Sequence, residues 1–335
     1  MSQYTAKQIL AFTRYADLFT DDHKKELKTL QHHWHPDRNK DPQANAVFVH
    51  IMSLYNMTNV PLKTSEVSYV NLKGEHCTFK YFCSEVLPFG KAYYINGAVC
   101  YVFNEDSKFL ITHFQDNLYT IYKHINTEFK DKYSFALPVI HLIQSPDNVL
   151  ILKIPKDFVP LSLVYKYYGQ NLNPRLAAWI TSRLFDYSML LHVGGFVGNG
   201  FSMPTVFVDL KGHRLFDMTS YFFATKIDGK LHALNADTID FYPHDCLTSK
   251  RAQPKCDVAL IKRLAIQLFG DSTGTGVKLN LDLNIPGPIV RFLMAISTNQ
   301  KYEAYKEWQH TVLVDSFGKR SFFKTEVETA LLLNQ

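Results

Sequence analysis

Histidines crowd the start of this chain: His23, His32, His33 and His50, with His35 opening a His35-Pro36-Asp37 run. They raise the question of a metal site. His32 and His33 are adjacent on a helical pattern, so their side chains diverge by about 100° and cannot readily chelate one ion. No carboxylate or cysteine supports them at ligand spacing, so no metal is expected. Thiol chemistry is the next candidate, at His244-Asp245-Cys246 or at Cys256. Neither cysteine has a recognisable catalytic context, and such cysteines are ordinarily buried and inert. Gly270–Gly276 (GDSTGTG) is rich enough in glycine to suggest a phosphate cradle. It fails as one, because no strand precedes it and no Lys-Ser/Thr follows. It reads as a flexible loop with Gly270 closing the helix before it.

Two helices must position the His35-Pro36-Asp37 run. Thr20 reads as an N-cap, and Asp21 and Asp22 oppose the positive end of the helix dipole. Leu27, Leu30 and Trp34 recur at three and four residues as one apolar stripe. Lys24, Lys28 and His32 line another face. Pro36 disfavours helical geometry at His35, so this helix, 20–34, stops at Trp34. A polar loop follows over 35–41. A second helix starts near Pro42, a residue suited to a first turn, and runs to Met57. Its apolar face is Val47, Phe48, Ile51, Met52 and Tyr55.

This helical pair closed by His35-Pro36-Asp37 resembles the J-domain of DnaJ-type co-chaperones. Gln8-Ile9-Leu10-Ala11-Phe12 serves as a divergent first helix, without the family's usual Tyr-x-x-Leu-Gly. The resemblance implies binding to a DnaK/heat-shock-70-type ATPase and stimulation of its ATP hydrolysis. In that picture Lys24, Lys25 and Lys28 meet an acidic patch, which supplies steering and register. Asp37 presents a carboxylate to an arginine, and His35 and Pro36 fix the loop that displays it.

A junction over 59–68, with Pro61, reads as a linker. Strand-like segments follow at 78–83, 91–95, 98–104 and 149–154. Helical spacing returns over 174–193 and 257–270. A strand-rich part before a helix-rich part predicts a two-lobed α+β arrangement. The order resembles the protein-kinase fold, with 150–160 as last N-lobe strand and hinge. Gly195–Val208 then stands at the catalytic loop, and His213–Thr219 at the strand leading to Asp-Phe-Gly. Asp257 matches the buried aspartate opening the next large helix.

A kinase needs a positioning carboxylate, two magnesium ligands, a lysine on the phosphates and a covering Gly-rich loop. On this resemblance Gly200 stands where the carboxylate belongs, Thr205 replaces the asparagine, and Val102 takes the lysine's place. Pro88–Ala98 offers only Gly90 and Gly97. Asp217 survives, as a vestigial metal ligand or an exposed turn residue. Similar J-domain proteins with a degenerate kinase-like region occur in bacteriophages, and Asp315–Phe322 looks like theirs.

The expected organisation is therefore multi-domain: an all-α J-domain (1–58), a linker (59–68), a β-rich kinase-like N-lobe (69–157) and a mostly α C-lobe (158–335). The expected function is that of a non-enzymatic co-chaperone without a cofactor. Its partners are a DnaK-type chaperone and an unidentified client, held by the kinase-like region with Tyr165, Tyr167 and Tyr168 as possible contacts. The alternative is an atypical kinase or nucleotide-binding transferase with a J-like docking domain. Composition agrees with a folded protein: 335 residues, 46% hydrophobic, 14% aromatic, net charge +5. That excludes disordered and collagen-like classes. No long basic run points to nucleic acid, and no apolar stretch points to a membrane. Five cysteines without Cys-x-x-Cys spacing fit a reducing compartment. The expected location is the cytoplasm, a host's if the protein is phage-encoded.

Overall fold

The structure, a computed structural model, describes residues 4–12, 18–19, 23–56, 64–71, 73–95, 97–143, 148–170, 172–281, 284–319 and 332. Thr20, Asp21, Asp22, Met57, residues 59–63 and 320–322, and the side chains of His23 and Lys24 lie outside the described residues. The chain divides into two units. One is 1–63 with 210–212 and 324–335, the other 64–209 with 213–323.

The first unit contains α1 (Ala6–Ala11), α2 (His23–Trp34) and α3 (Ala44–Asn56). Thr5 and Gln8 close the start of α1 reciprocally: the Gln8 amide donates to Thr5 Oγ1 at 3.4 Å and the Thr5 amide to Gln8 Oε1 at 2.9 Å. That satisfies donors a bare helix start leaves open. Ile9, Leu30, Trp34, Val47, Ile51 and Leu54 are buried between the helices, which confirms the apolar stripes. Helix α3 begins at Ala44, not Pro42. Asp41 Oδ1 accepts the Gln43 amide at 2.8 Å, and that local turn keeps Pro42 ahead of the helix.

In the second unit, β1 (Ser65–Val70) and β2 (His76–Tyr81) form an antiparallel hairpin. Residues 65–68 are thus strand rather than linker. Val67 faces Phe79 and Tyr69 faces Cys77 across the pair, the half-buried alternation of a hairpin. A five-stranded antiparallel sheet follows from β3 (Cys83–Leu87), β4 (Gly90–Ile95), β5 (Ala98–Phe103), β6 (Val139–Ile143) and β7 (Val149–Lys153), in the order β3-β4-β5-β7-β6. Between β5 and β6 runs α4 (Phe109–Glu128), with Leu110, Ile111, Phe114, Ile121 and Ile125 buried. Gly90, at φ +151°, admits no side chain, because a Cβ there would stand 2.0 Å from the Val102 carbonyl oxygen. The turn it serves is closed by packing, not shaped as a phosphate cradle.

The helix-rich part carries β8 (Val159–Pro160), α5 (Leu161–Tyr167), α6 (Pro174–Val193), β9 (Phe196–Val197), β10 (Val206–Asp209) and β11 (Arg214–Asp217). A short helix, α7 (Thr219–Phe223), and β12 (Thr225–Lys226) precede α8 (His244–Ser249) and α9 (Pro254–Leu268). The chain continues through α10 (Gly287–Met294), α11 (Lys301–Glu307), a π-turn over Trp308–Val312 and α12 (Leu313–Phe317). Asn173 caps α6 by accepting the Arg175 amide at 2.9 Å, and Pro174 occupies its first turn. Twelve of its twenty residues are buried, so it is a core helix packed against α9.

Beneath α6 and α9 lies a carboxylate with no exposure to water. Asp257 accepts the amides of Gly198 and Asn199, each at 3.0 Å, and the Ser188 hydroxyl at 3.3 Å. Lys301 Nζ donates to it at 2.7 Å, and both side chains are fully buried. Burial pulls the Lys301 ammonium below the usual lysine range, and Asp257 opposes that pull. Lys301→Met strands the carboxylate without its cation and should cost about 3–5 kcal/mol in urea unfolding. Adding Asp257→Asn should recover part of that loss.

Candidate functional site

In the first unit α2 ends at Trp34, where Pro36 requires, and the loop folds back on itself. The His35 carbonyl accepts the amides of Arg38 and Asn39 at 3.0 and 2.9 Å, and Asn39 Nδ2 donates to the His33 carbonyl at 3.0 Å. The His35 ring sits edge-on against Phe48 of α3, centroids 5.5 Å apart. Its Nδ1 accepts the Asp37 amide at 3.2 Å, so the proton of the neutral ring is on Nε2. The Asp37 carboxylate stands 86% exposed, 3.8 Å from the same Nδ1. Lys25, Lys28 and His32 are exposed on α2. His50 belongs elsewhere: its Nε2 donates to the Phe12 carbonyl at 2.8 Å, which ties α3 to the end of α1.

In the second unit Gly200, Thr205 and Asp217 meet in a packed core. Asp217 is fully buried, not an exposed turn residue. Its carboxylate accepts the Thr219 amide (3.2 Å), the Ser220 amide (3.0 Å) and the Thr219 hydroxyl (2.6 Å), and Thr205 Oγ1 reaches it at 3.4 Å. It therefore serves the open amides at the start of α7. Burial raises its carboxyl to about 7, against the downward pull of the Thr219 and Ser220 bonds.

Gly200, where a positioning carboxylate would stand, is buried. A Cβ there would lie 2.9 Å from Phe223 Cδ2 and from Thr219 Cβ. Val102 does not join them. It is half-buried on the opposite face of the sheet, lining a groove of about 600 Å³ with Val67, Tyr69, Phe79 and Tyr93. The inward residue is Tyr101, fully buried, its hydroxyl pushed far up by burial and then by the charge of Asp217. The alternation of β5 separates the two faces, but both sets are apolar, so sequence alone could not say which turns inward.

Phe222 of α7 fills the space beneath the sheet. Its ring lies 5.4 Å from Phe89, 5.3 Å from Tyr101, 5.6 Å from Phe103 and 5.1 Å from Phe114. Phe89 comes from the β3–β4 turn, and Phe223 reaches the same ring at 5.8 Å. Asn117 of α4 fastens the plug by donating to the carbonyls of Tyr221 and Ala224 at 3.2 and 3.1 Å. Sequence reasoning missed α4, Phe222 and Asn117. The aromatic run Tyr221-Phe222-Phe223, two residues after Asp217-Met218-Thr219 with Ser220 between, was the available clue.

The remaining candidates are structural. Burial pushes the thiols of Cys246 and Cys256 up, away from a reactive thiolate. The Gly270–Gly276 loop is ordered around its own anion. Asp271 accepts the amides of Thr273 (3.1 Å) and Lys278 (3.2 Å), and Gly270, at φ +102°, closes the helix as expected. Tyr167 is buried, and Tyr165 and Tyr168 are half-buried, so none of the three is an exposed partner contact. Among the described residues no helix is long and apolar enough to cross a membrane.

No family model matches the sequence, and no curated protein is similar to it. Among solved structures the chain is similar to the structure of vaccinia related kinase 3, at 14% identity and a TM-score of 0.47, over 79% of this chain and 95% of that one. So loose an overlap adds nothing to the chain's own topology. That topology is a five-stranded antiparallel sheet, a long helix between its third and fourth strands in sequence and a helix-rich part beyond β7.

Two outcomes follow from the packing. Gly200→Asp should cost about 1–3 kcal/mol by overpacking against Phe223 and Thr219. Asp217 has a folded-state pKa above its ordinary 3.8, so its contribution is fully present below about pH 4 and is lost as pH rises through about 7. The melting temperature of Asp217→Asn minus that of the native protein should therefore increase from pH 4 to pH 8.

Proposed function

We propose that this chain is a J-domain co-chaperone that binds a DnaK/heat-shock-70-type chaperone and stimulates its ATPase. The observation that carries this reading is the exposed Asp37 carboxylate on a loop whose backbone is held by His35, beside a helix displaying Lys25 and Lys28. A carboxylate on a pre-formed loop loses little freedom on binding, and its charge-assisted bond to an arginine is directional. The flanking lysines add steering toward an acidic partner. In a phage setting that chaperone is the host's, in the host cytoplasm.

The kinase-like unit, on this proposal, is catalytically inactive and binds a client or partner. Support comes from the aromatic plug at Phe222, the closed position at Gly200 and the engagement of Asp217 by α7. A kinase acts by positioning and charge stabilisation around nucleotide and metal, and needs an open cleft lined by carboxylates and a lysine. The same three features weigh against an atypical kinase or transferase.

Single-turnover ATP hydrolysis by a DnaK-type chaperone should accelerate with the native protein and not with Asp37→Asn. Lys25→Glu/Lys28→Glu should raise the concentration needed for half-stimulation by about tenfold, most at low salt. Mg-ATP should leave the melting temperature of the full chain unchanged. A clear upward shift would overturn the inactive reading of the kinase-like unit.

A further inference from the structure

The kinase-like unit carries a rigid, cation-bearing ribbon that the proposed function does not yet use. Its first arm runs over 225–232 and its second over 250–252. Leu231 N–H donates to the Lys250 carbonyl at 2.8 Å, Asp228 N–H to the Ala252 carbonyl at 2.8 Å, and Ala252 N–H to the Gly229 carbonyl at 2.9 Å. Lys230 and Arg251 form an antiparallel bridge, and β12 anchors the first arm to β9. Leu231 and Ala252 are buried beneath it, so the backbone is fixed before anything binds.

The outward residues are Lys226, Asp228, Lys230, His232, Lys250 and Arg251, all exposed. Arg251 is spent partly on the ribbon itself, its Nη1 donating to the Asp228 carbonyl at 3.1 Å. Lys226, Lys230 and Lys250 form no ion pair among the described residues. Lys250 also stands at the end of α8 in left-handed geometry, φ +53°, where glycine is the comfortable choice. Three unpaired ammonium groups and a guanidinium around one carboxylate leave this face with a local positive excess.

We infer that this ribbon docks an acidic segment of a protein partner. The inference rests on the proposal that the kinase-like unit holds a partner, and it names that partner's chemistry. Charge complementarity selects carboxylates, and the fixed backbone keeps the ordering cost of binding low. A nucleic-acid strand fits less well. It would carry its phosphates past Asp228, and the ribbon offers no Phe, Tyr or Trp ring on which single-stranded bases stack.

The test uses the full-length protein and three labelled probes of equal length: an alternating Glu-Gly peptide, its Gln-Gly counterpart and oligothymidine. Fluorescence anisotropy should show the Glu-Gly peptide binding most tightly, with affinity falling as salt rises. Lys226→Glu/Lys230→Glu should weaken it by about tenfold or more, with the melting temperature kept. Lys226→Arg/Lys230→Arg, which preserves the charge, should bind like the native protein. Equal binding of the two peptides, tighter binding of oligothymidine, or full affinity in the stably folded charge-reversed variant would each overturn the inference. Chaperone ATPase stimulation, measured on the same samples, separates the two readings. Stimulation without Glu-Gly binding sinks the ribbon alone, and Glu-Gly binding without stimulation sinks the co-chaperone reading alone.

Discussion

The carboxylate of Asp257 gathers elements that share no sequence neighbourhood. It takes the amides of the 198–199 turn, the hydroxyl of Ser188 on α6 and the ammonium of Lys301 on α11. Each group is buried, and each would be an unsatisfied donor without it. A charge so enclosed is tolerable only when its partners are complete. That requirement fixes the loop leading to Gly200, and with it the distance between Gly200 and α7. The packing of Gly200 against Thr219 and Phe223 therefore starts from an electrostatic anchor on α9.

From the anchor outward, polar residues at kinase-like positions are spent on structure. Asp217 serves the start of α7, Thr205 leans on Asp217, and Asn117 holds the end of the same short helix. Aromatic rings then fill the space beneath the sheet. A buried network whose members satisfy one another is rigid and specific, and here it commits the Asp217 carboxylate to the start of α7. The loop at His35-Pro36-Asp37 is built in the opposite sense. The amides of Asp37, Arg38 and Asn39 are satisfied within the loop while the Asp37 carboxylate is left in water.

Local rules were legible in the sequence where one force dominated. Pro36 ended α2 at Trp34, and Pro174–Val193 was bounded by its own proline and glycine. The apolar stripes of α2 and α3 were readable because a helix shows its period over several turns. Three strands of the five-stranded sheet, β4, β5 and β7, were located to within a residue of their ends, whereas β3 and β6 were not read at all. The 59–68 junction misled because Ser65, Glu66 and Ser68 hide a hairpin whose apolar residues alternate only briefly. Which face of β5 turns inward was not legible, because both faces are apolar. Nothing local announces that Phe222 will lie against Phe89, a contact set by the fold as a whole.

The Asp257 cluster also bears on how the kinase-like unit is assembled in time. Its partners lie 44, 58, 59 and 69 residues away along the chain. Loops of that size must close before any of these bonds can form, and their closure entropy comes first. Until then Asp257 and Lys301 are separately hydrated ions, and the turn at Gly198–Asn199 has no acceptor for its amides. Folding of this unit is thus non-local at its centre, with a polar lock that engages only when the helices around it have already met.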